Sequence, residues 1–398
     1  MKVKNYRYAA HCNAPRLAGM HTIGRRRNNI ACASGSALLL TAALGCLAVS
    51  AAAADSQPAV SGERDGQHDF DFLIGRWRVH LNRKAAGTNR WTESDGYGVY
   101  RKVWGGRANL NEFFTENSSG HVEGLTLRTY NPETHRWSLY WANSRDGILS
   151  SPQVGRFNHG QGEFYEQDNS DGKGTLVRYV WSRITATSAH FEQAFSEDGG
   201  KSWDVNWISD MQRLGDIEDT AVSAASGSGT QTSSEEPGQR DFEPLLGHWS
   251  YRLKRRLKPL TGSTQWVELA GNGACTPLWH GHAQLDTINV AGSNGNIEGL
   301  TLRLFNPQTH QWRLYWANSK DGVVVAPQIG RFKASHGEFY AQDTLDDKSI
   351  FVKFDWSALD SSSPHFEQSF SNDGGKNWEV NWVTDQTRLT TAPEPNPK

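Results

Sequence analysis

Three kinds of side chain that do chemistry recur at four matched positions along this 398-residue chain. Glu163 and Glu338 sit in Gly-Glu-Phe-Tyr-x-Gln-Asp, and Glu192 and Glu367 in His-Phe-Glu-Gln. His190 and His365 open that second motif, and Arg128 and Arg303 close Glu-Gly-Leu-Thr-Leu-Arg. Paired carboxylates serve glycoside hydrolysis, so Glu163 with Glu192 is the pair to test for action on a glycan or lipid-like substrate. The same groups have a second use. If the Glu192 side of its strand faces inward, a His and a Glu enter a mostly apolar cavity, with Arg128 as their counter-charge. The third reading leaves them on the solvated face, where the polar residues of an alternating strand normally point.

Other chemistries find less to work with. Only His135/His310 and His190/His365 are His at both matched positions, without a His-x-His, His-x3-His or Cys cluster, so no metal is expected. His135 follows Asn131-Pro132-Glu133-Thr134 and reads as a turn residue. Nothing singles out a haem ligand, no Gly-rich phosphate loop or nucleophile elbow occurs, and no cofactor is expected. Cys275 is matched by Tyr100, which points to packing rather than catalysis. Ser196-Glu-Asp198-Gly-Gly200-Lys-Ser-Trp203 and Ser371-Asn-Asp373-Gly-Gly375-Lys-Asn-Trp378 fit the Asp-box pattern Ser-x-Asp-x-Gly-x-x-Trp. In a hairpin of that kind Asp and Ser cap backbone N–H groups, Gly takes a positive φ and Trp covers the turn, a folding role.

What positions these groups is a duplication. From Trp91/Trp266 to Trp207/Trp382 the chain matches itself at a constant offset of 175, without insertion or deletion. Tyr140-Trp-Ala-Asn-Ser144 returns as Tyr315 to Ser319, and all eight Trp of the first copy have a Trp counterpart in the second. The period is far too long for a propeller blade or solenoid unit, so each copy is a complete domain. Divergence shows at Arg107, matched by His282, and at Glu112, matched by Thr287.

Within a copy the periodicity is two. Trp137, Leu139 and Trp141 alternate with Ser138, Tyr140 and Ala142, and Val177, Tyr179 and Trp181 with Arg178, Val180 and Ser182. Asn131-Pro132, Asp146-Gly147, Asp171-Gly172 and Asp198-Gly199-Gly200 punctuate the runs as short turns, which force antiparallel neighbours. Roughly eight to ten strands per copy and no long amphipathic helix suit an all-β fold of two tandem antiparallel barrels, closed so that no edge is exposed. Most Trp belong to the core. Trp141 and Trp316, inside the shared Tyr-Trp-Ala-Asn-Ser, are the choice for lining a cavity.

Phe70-Asp-Phe-Leu-Ile-Gly-Arg-Trp77, Gly124-Leu-Thr-Leu-Arg-Thr-Tyr-Asn-Pro132, Gly162-Glu-Phe-Tyr165 and the Asp-Gly-Gly-Lys hairpin resemble a group of uncharacterised bacterial proteins, many exported, with lipocalin-like (calycin) barrels. The resemblance covers both copies nearly end to end and implies the fold, not an activity. Leu73-Ile-Gly-Arg-Trp77, repeated as Leu245-Leu-Gly-His-Trp249, is similar to the Gly-x-Trp that opens many such barrels, where the Trp plugs the closed end.

Residues 1–54 read as an export segment, with Arg25, Arg26 and Arg27, an apolar run from Ala37 to Val49 and a cut expected after Ala54. Met20 as the true start, a twin-arginine route through Arg26-Arg27 and lipidation of Cys46 remain open variants. Seven Lys or Arg and no acid fall in that segment, which leaves the mature part 34 basic against 43 acidic residues. A formal charge of −9 argues against nucleic acid and anionic membrane as partners. Cys275 alone remains in the mature chain, so no intramolecular disulfide forms. The expected organisation is a barrel at 66–214, a flexible Ser, Gly, Thr and Glu-rich linker at 215–239 and a second barrel at 240–390. The function these readings favour is a periplasmic or secreted protein holding a small apolar or amphipathic ligand. Arg128, Trp141, Glu163, His190, Glu192 and their counterparts Arg303, Trp316, Glu338, His365 and Glu367 would contact it. An enzyme using the paired carboxylates and a purely structural or protein-binding module are the alternatives.

Overall fold

Alternation with a period of two gives each run a fixed inner and outer side, and short turns make successive runs pair antiparallel. The computed structural model describes residues 64–85, 87–117, 120–168, 174–217 and 236–391, and in them this pattern becomes twenty strands. The export segment, Cys46, the Asp171-Gly172 turn and residues 218–235 of the linker lie outside the described residues. The first copy contributes β1 (Gly75–Lys84), β2 (Trp91–Val103), β3 (Ala108–Asn117), β4 (Gly120–Asn131) and β5 (Arg136–Asn143). It continues with β6 (Gln153–Asn158), β7 (Gln161–Asp168), β8 (Thr175–Ser182), β9 (Ser188–Ser196) and β10 (Asp204–Gly215). The second contributes β11 (Gly247–Arg256), β12 (Trp266–Leu278), β13 (Ala283–Gly292), β14 (Gly295–Asn306) and β15 (Gln311–Asn318). It ends with β16 (Gln328–Lys333), β17 (His336–Leu345), β18 (Lys348–Ser357), β19 (His365–Ser371) and β20 (Glu379–Leu389).

Each strand pairs with its sequence neighbours, and the first strand of each copy pairs with the last, giving two closed ten-stranded antiparallel barrels. That is more than the roughly eight strands of a lipocalin. Val79 lies opposite Met211 and Leu81 opposite Ser209 where β1 meets β10. The weakest seam is the same in both barrels: β5 and β6 share three residue pairs, Trp137 to Leu139 against Gly155 to Gln153, and β15 and β16 share three at matched positions. Among the described residues no helix is long and apolar enough to cross a membrane.

One end of each barrel is stoppered by aromatic rings. A 3-10 turn at Asp71–Leu73 leads into β1, and the fully buried Trp77 donates its indole N–H to the Leu73 carbonyl at 2.7 Å. Trp249 repeats the bond to Leu245 at 2.6 Å. Phe70 packs edge-on against Trp137 and Phe157 at 5.0 Å, and Phe242 does the same with Trp312 and Phe332 in the second barrel. Such pairs fill the stopper with rigid surface.

The sector made by β3, β4 and β5 breaks the usual rule that apolar residues point into a barrel. Leu110, Leu125, Leu127 and Tyr140 point outward and form one buried cluster with Leu285, Leu300, Leu302, Leu304 and Tyr315 of the second barrel. The contact is reciprocal. Tyr315 accepts from the Leu149 N–H at 3.1 Å, and its counterpart Tyr140 accepts from the Val324 N–H at 3.5 Å. Gly147 and Gly322, both at positive φ, each lie so close to the other barrel that a Cβ would meet a backbone oxygen, Phe305 O at 2.2 Å and Tyr130 O at 2.4 Å. The two copies therefore meet as an isologous pair would, through one patch used twice. Arg64 to Lys398 accordingly forms one compact unit.

Candidate functional site

The outward turn of the Leu residues in β4 sends the alternate residues inward. Gly124, Thr126 and Arg128 point into the first barrel, beside Leu139 and Trp141 of β5 and Asn109 and Asn111 of β3. Together with Val79, Leu81, Tyr100, Phe113, Tyr179, Trp181, Phe191 and Trp207 they enclose a cavity of about 100 Å³. Arg128 lies one layer above the aromatic stopper. Trp141 is farther along and meets Trp207 edge-on at 6.0 Å. A Cβ on Gly124 would meet the Trp141 ring at 2.0 Å, so the glycine is what lets the indole lie flat on β4; Gly299 does the same for Trp316, which meets Trp382 at 6.1 Å.

Arg128 is 3 % exposed, which places a formal positive charge inside an apolar wall. Its Nη1 donates to Asn109 Oδ1 at 3.1 Å and Asn111 Oδ1 at 2.7 Å, while Nε is buried without a partner. The guanidinium lies 5.3 Å from the Phe70 ring and 5.6 Å from those of Tyr100 and Trp181. Desolvation pulls it down to about 10, with only slight compensation from the Tyr100 and Tyr179 hydroxyls, so it stays charged at neutral pH. Among the described residues no carboxylate pairs with it.

The second barrel treats the matched residue differently. Arg303, 1 % exposed, donates from Nη2 to Asp286 Oδ2 at 2.6 Å, and Tyr251 holds the other Asp286 oxygen at 3.2 Å. Asp286 stands where the first barrel has Asn111, Tyr251 where it has Val79 and Cys275 where it has Tyr100. Burial disfavours the Arg303 charge, but the Asp286 carboxylate outweighs it and holds the group above the usual arginine range. Burial also pushes the Cys275 thiol up to about 12, in keeping with packing rather than reactivity. Both barrels share one pair of unpartnered donors: Nε of the arginine and the indole N–H of Trp181 or Trp356. Net charge separates them, and so does Nη2, which Asp286 takes in the second barrel and Asn109 and Asn111 leave free in the first.

The remaining residues singled out from sequence lie on the outer faces. In β9 it is Phe191 and Gln193 that line the cavity, so alternation puts His190 and Glu192 outside and Arg128 is not their counter-charge. His190 Nδ1 is 2.6 Å from Asp210, and its Nε2 is 2.9 Å from both Glu192 and Arg183. His365 repeats this with Asp385 at 2.7 Å and Glu367 at 3.2 Å; burial resists its charged form, but those two bonds outweigh it and raise it above the ordinary imidazole range. Glu163 accepts from Gln161 and Tyr165, both at 2.7 Å. Glu163 and Glu192 share a row across the outer face of β7, β8 and β9 with Val180 between them, roughly 9–10 Å apart at the backbone. A groove of about 380 Å³ does lie beside His190, but its His80 and His190 are already occupied by Asp95 and Asp210.

Two groupings escaped the sequence. Glu166, the variable position of Gly-Glu-Phe-Tyr-x-Gln-Asp, faces inward on β7, bonded to Gln153, and burial raises its carboxyl above the usual range. It is Ala341 in the second copy, so comparison of the copies passes over it. On the outside of the second barrel His336, Glu338 and Asp355 converge, with His336 Nε2 3.3 Å from Asp355 and Lys353 already 3.5 Å from the same carboxylate. The first copy has Gln161 and Val180 at two of these positions. The Asp-box hairpins do what their residue types require. Asp198 accepts from the backbone and hydroxyl of Ser202 at 2.9 and 2.7 Å, Gly200 N–H donates to Ser196 at 2.8 Å, and Asp373 repeats the arrangement with Asn377.

No family model matches the chain, and no curated protein does. Among solved structures, a protein of unknown function from the DUF3598 family of Nostoc punctiforme is similar over 82% of this chain and all of its own, at 8% identity and a TM-score of 0.23. A mutant of transferrin binding protein B from Haemophilus parasuis is similar over 79% of this chain and 74% of its own, at 8% identity and a TM-score of 0.17. At these scores neither neighbour bears on what the barrels hold.

Proposed function

We propose that the chain is an exported binding protein, periplasmic or secreted, whose first barrel holds a small amphipathic ligand among aromatic side chains. The observation that carries this reading is the cavity bounded by Trp141, Trp181, Trp207, Phe113 and Phe191 with a buried charged group, Arg128, at its stoppered end beside a few buried polar side chains. Apolar walls with few convergent polar groups are the usual composition of a small-molecule site. At about 30 Å³ per water the cavity has room for roughly three waters, less than the roughly 150 Å³ that holds benzene, which corresponds to a ligand of about five non-hydrogen atoms. The basic leader followed by a small-residue run supports export. Native mass spectrometry with solvent extraction, on protein purified from its own host, is the direct test. The expected result is a stoichiometric small molecule that Leu81→Trp, which fills the cavity, no longer retains; a clean apo mass counts against the reading.

A further inference from the structure

The matched arginines of the two barrels differ in one decisive respect. Arg303 has a carboxylate of its own chain, whereas Arg128 has the amide oxygens of Asn109 and Asn111 and three aromatic rings. Amide dipoles and ring faces moderate a buried cation but do not neutralise it. Nη1 is consumed by the two asparagines and Nε is sealed off from the cavity, which leaves Nη2 as the donor that a ligand oxygen can reach. The cavity opens on this residue, and the room beside it is of the size that a small organic acid occupies. Glu166, a carboxyl inside this barrel, is engaged by Gln153.

We infer that the ligand of the first barrel is a small monocarboxylate, its carboxylate buried against Arg128 and its apolar body among the Trp and Phe side chains, and that the second barrel takes no such ligand because Asp286 already occupies that role. The inference rests on the first cavity binding a ligand at all, and it adds the charge of that ligand and a stoichiometry of one per chain. Asn111 is the residue that sets the difference: an aspartate there makes the first barrel electrically like the second.

Isothermal titration of the full chain with propionate and with its neutral isostere propionamide tests this, in wild type, Asn111→Asp and Arg128→Met. Near-UV circular dichroism of the Trp bands reports folding, and Asn111→Asp, which copies a pairing the second barrel already tolerates, keeps the test open if Arg128→Met does not fold. The expected result is one propionate per chain, binding of the amide weaker by about tenfold or more, and loss of propionate binding by a similar or larger factor in Asn111→Asp. Equal binding of acid and amide, undiminished acid binding in Asn111→Asp, or two acids per chain overturns the anion inference and leaves the cavity reading standing. If neither compound binds wild type, both fall.

Discussion

At the scale of single residues, the chain uses side-chain oxygens in two opposite ways. Asp198 and Asp373 lie at the surface and gather several donors each from one turn, and those hydrogen bonds, from the backbone N–H of residues 202 and 377 first, hold both carboxyls down to about 2. A carboxyl depressed in the folded state stabilises it above the unfolded value of about 3.9, and the contribution disappears as pH falls through the folded value. NMR titration of the two Asp carboxyls is expected to give midpoints near 2, with acid unfolding of Asp198→Asn less steep over that window than wild type. Midpoints near 4 would show that the hairpins are not closed in this way. Arg128 is the opposite case, a charge with dipoles and rings around it but no counter-ion, and its neighbours had to be seen in three dimensions. The sequence marks it as shared by both copies, yet Asn111 against Asp286 reads as an ordinary surface difference until the strand pairing puts both inside.

At the scale of elements, β4 and β14 decide which side of each barrel is which. In Gly-Leu-Thr-Leu-Arg the Arg faces the barrel interior and the Leu face outward, because Leu125, Leu127, Leu300 and Leu302 are buried against the other barrel. Period two was therefore legible, as were the closed antiparallel barrels, the turns and the stoppering Trp77 and Trp249. The inner face was not, because alternation alone assigns two sides without naming them. The same ambiguity hid the fact that Phe191, not Glu192, looks into the cavity. Gly124 and Gly299 are the element-level price of laying an indole across a neighbouring strand. Gly124→Ala is expected to cost about 1–3 kcal/mol in urea denaturation and to shift the near-UV Trp signal, since the new methyl displaces Trp141. An unchanged midpoint would mean that the indole does not rest there.

At the scale of the whole molecule, the two barrels share one buried apolar layer flanked by polar contacts that are not symmetric. Glu112 accepts the Trp279 N–H at 3.1 Å, and its counterpart Thr287 lacks a carboxylate to do the same for Trp104. Arg107 pairs with Glu298, whereas on the opposite side His280 reaches Glu123 at 2.7 Å. The divergence at residues 107 and 112 noted in the sequence is thus divergence at the seam between copies. Calorimetry is expected to show one cooperative transition for wild type. Leu302→Lys, which buries an unpaired charge in the layer, should lower stability by roughly 3–5 kcal/mol and split the transition in two. Two transitions in wild type would show that the layer does not couple the barrels.

The reciprocal seam has a consequence for how such a molecule can change. In a pair assembled from identical chains every substitution is made twice, so a cavity cannot lose its free cation on one side without losing it on the other. Here both halves are encoded in a single reading frame, and a change at one codon alters one barrel alone. Asn111 and Asp286 are what that freedom permits: one buried arginine held by amide oxygens, its twin paired with a carboxylate of its own chain.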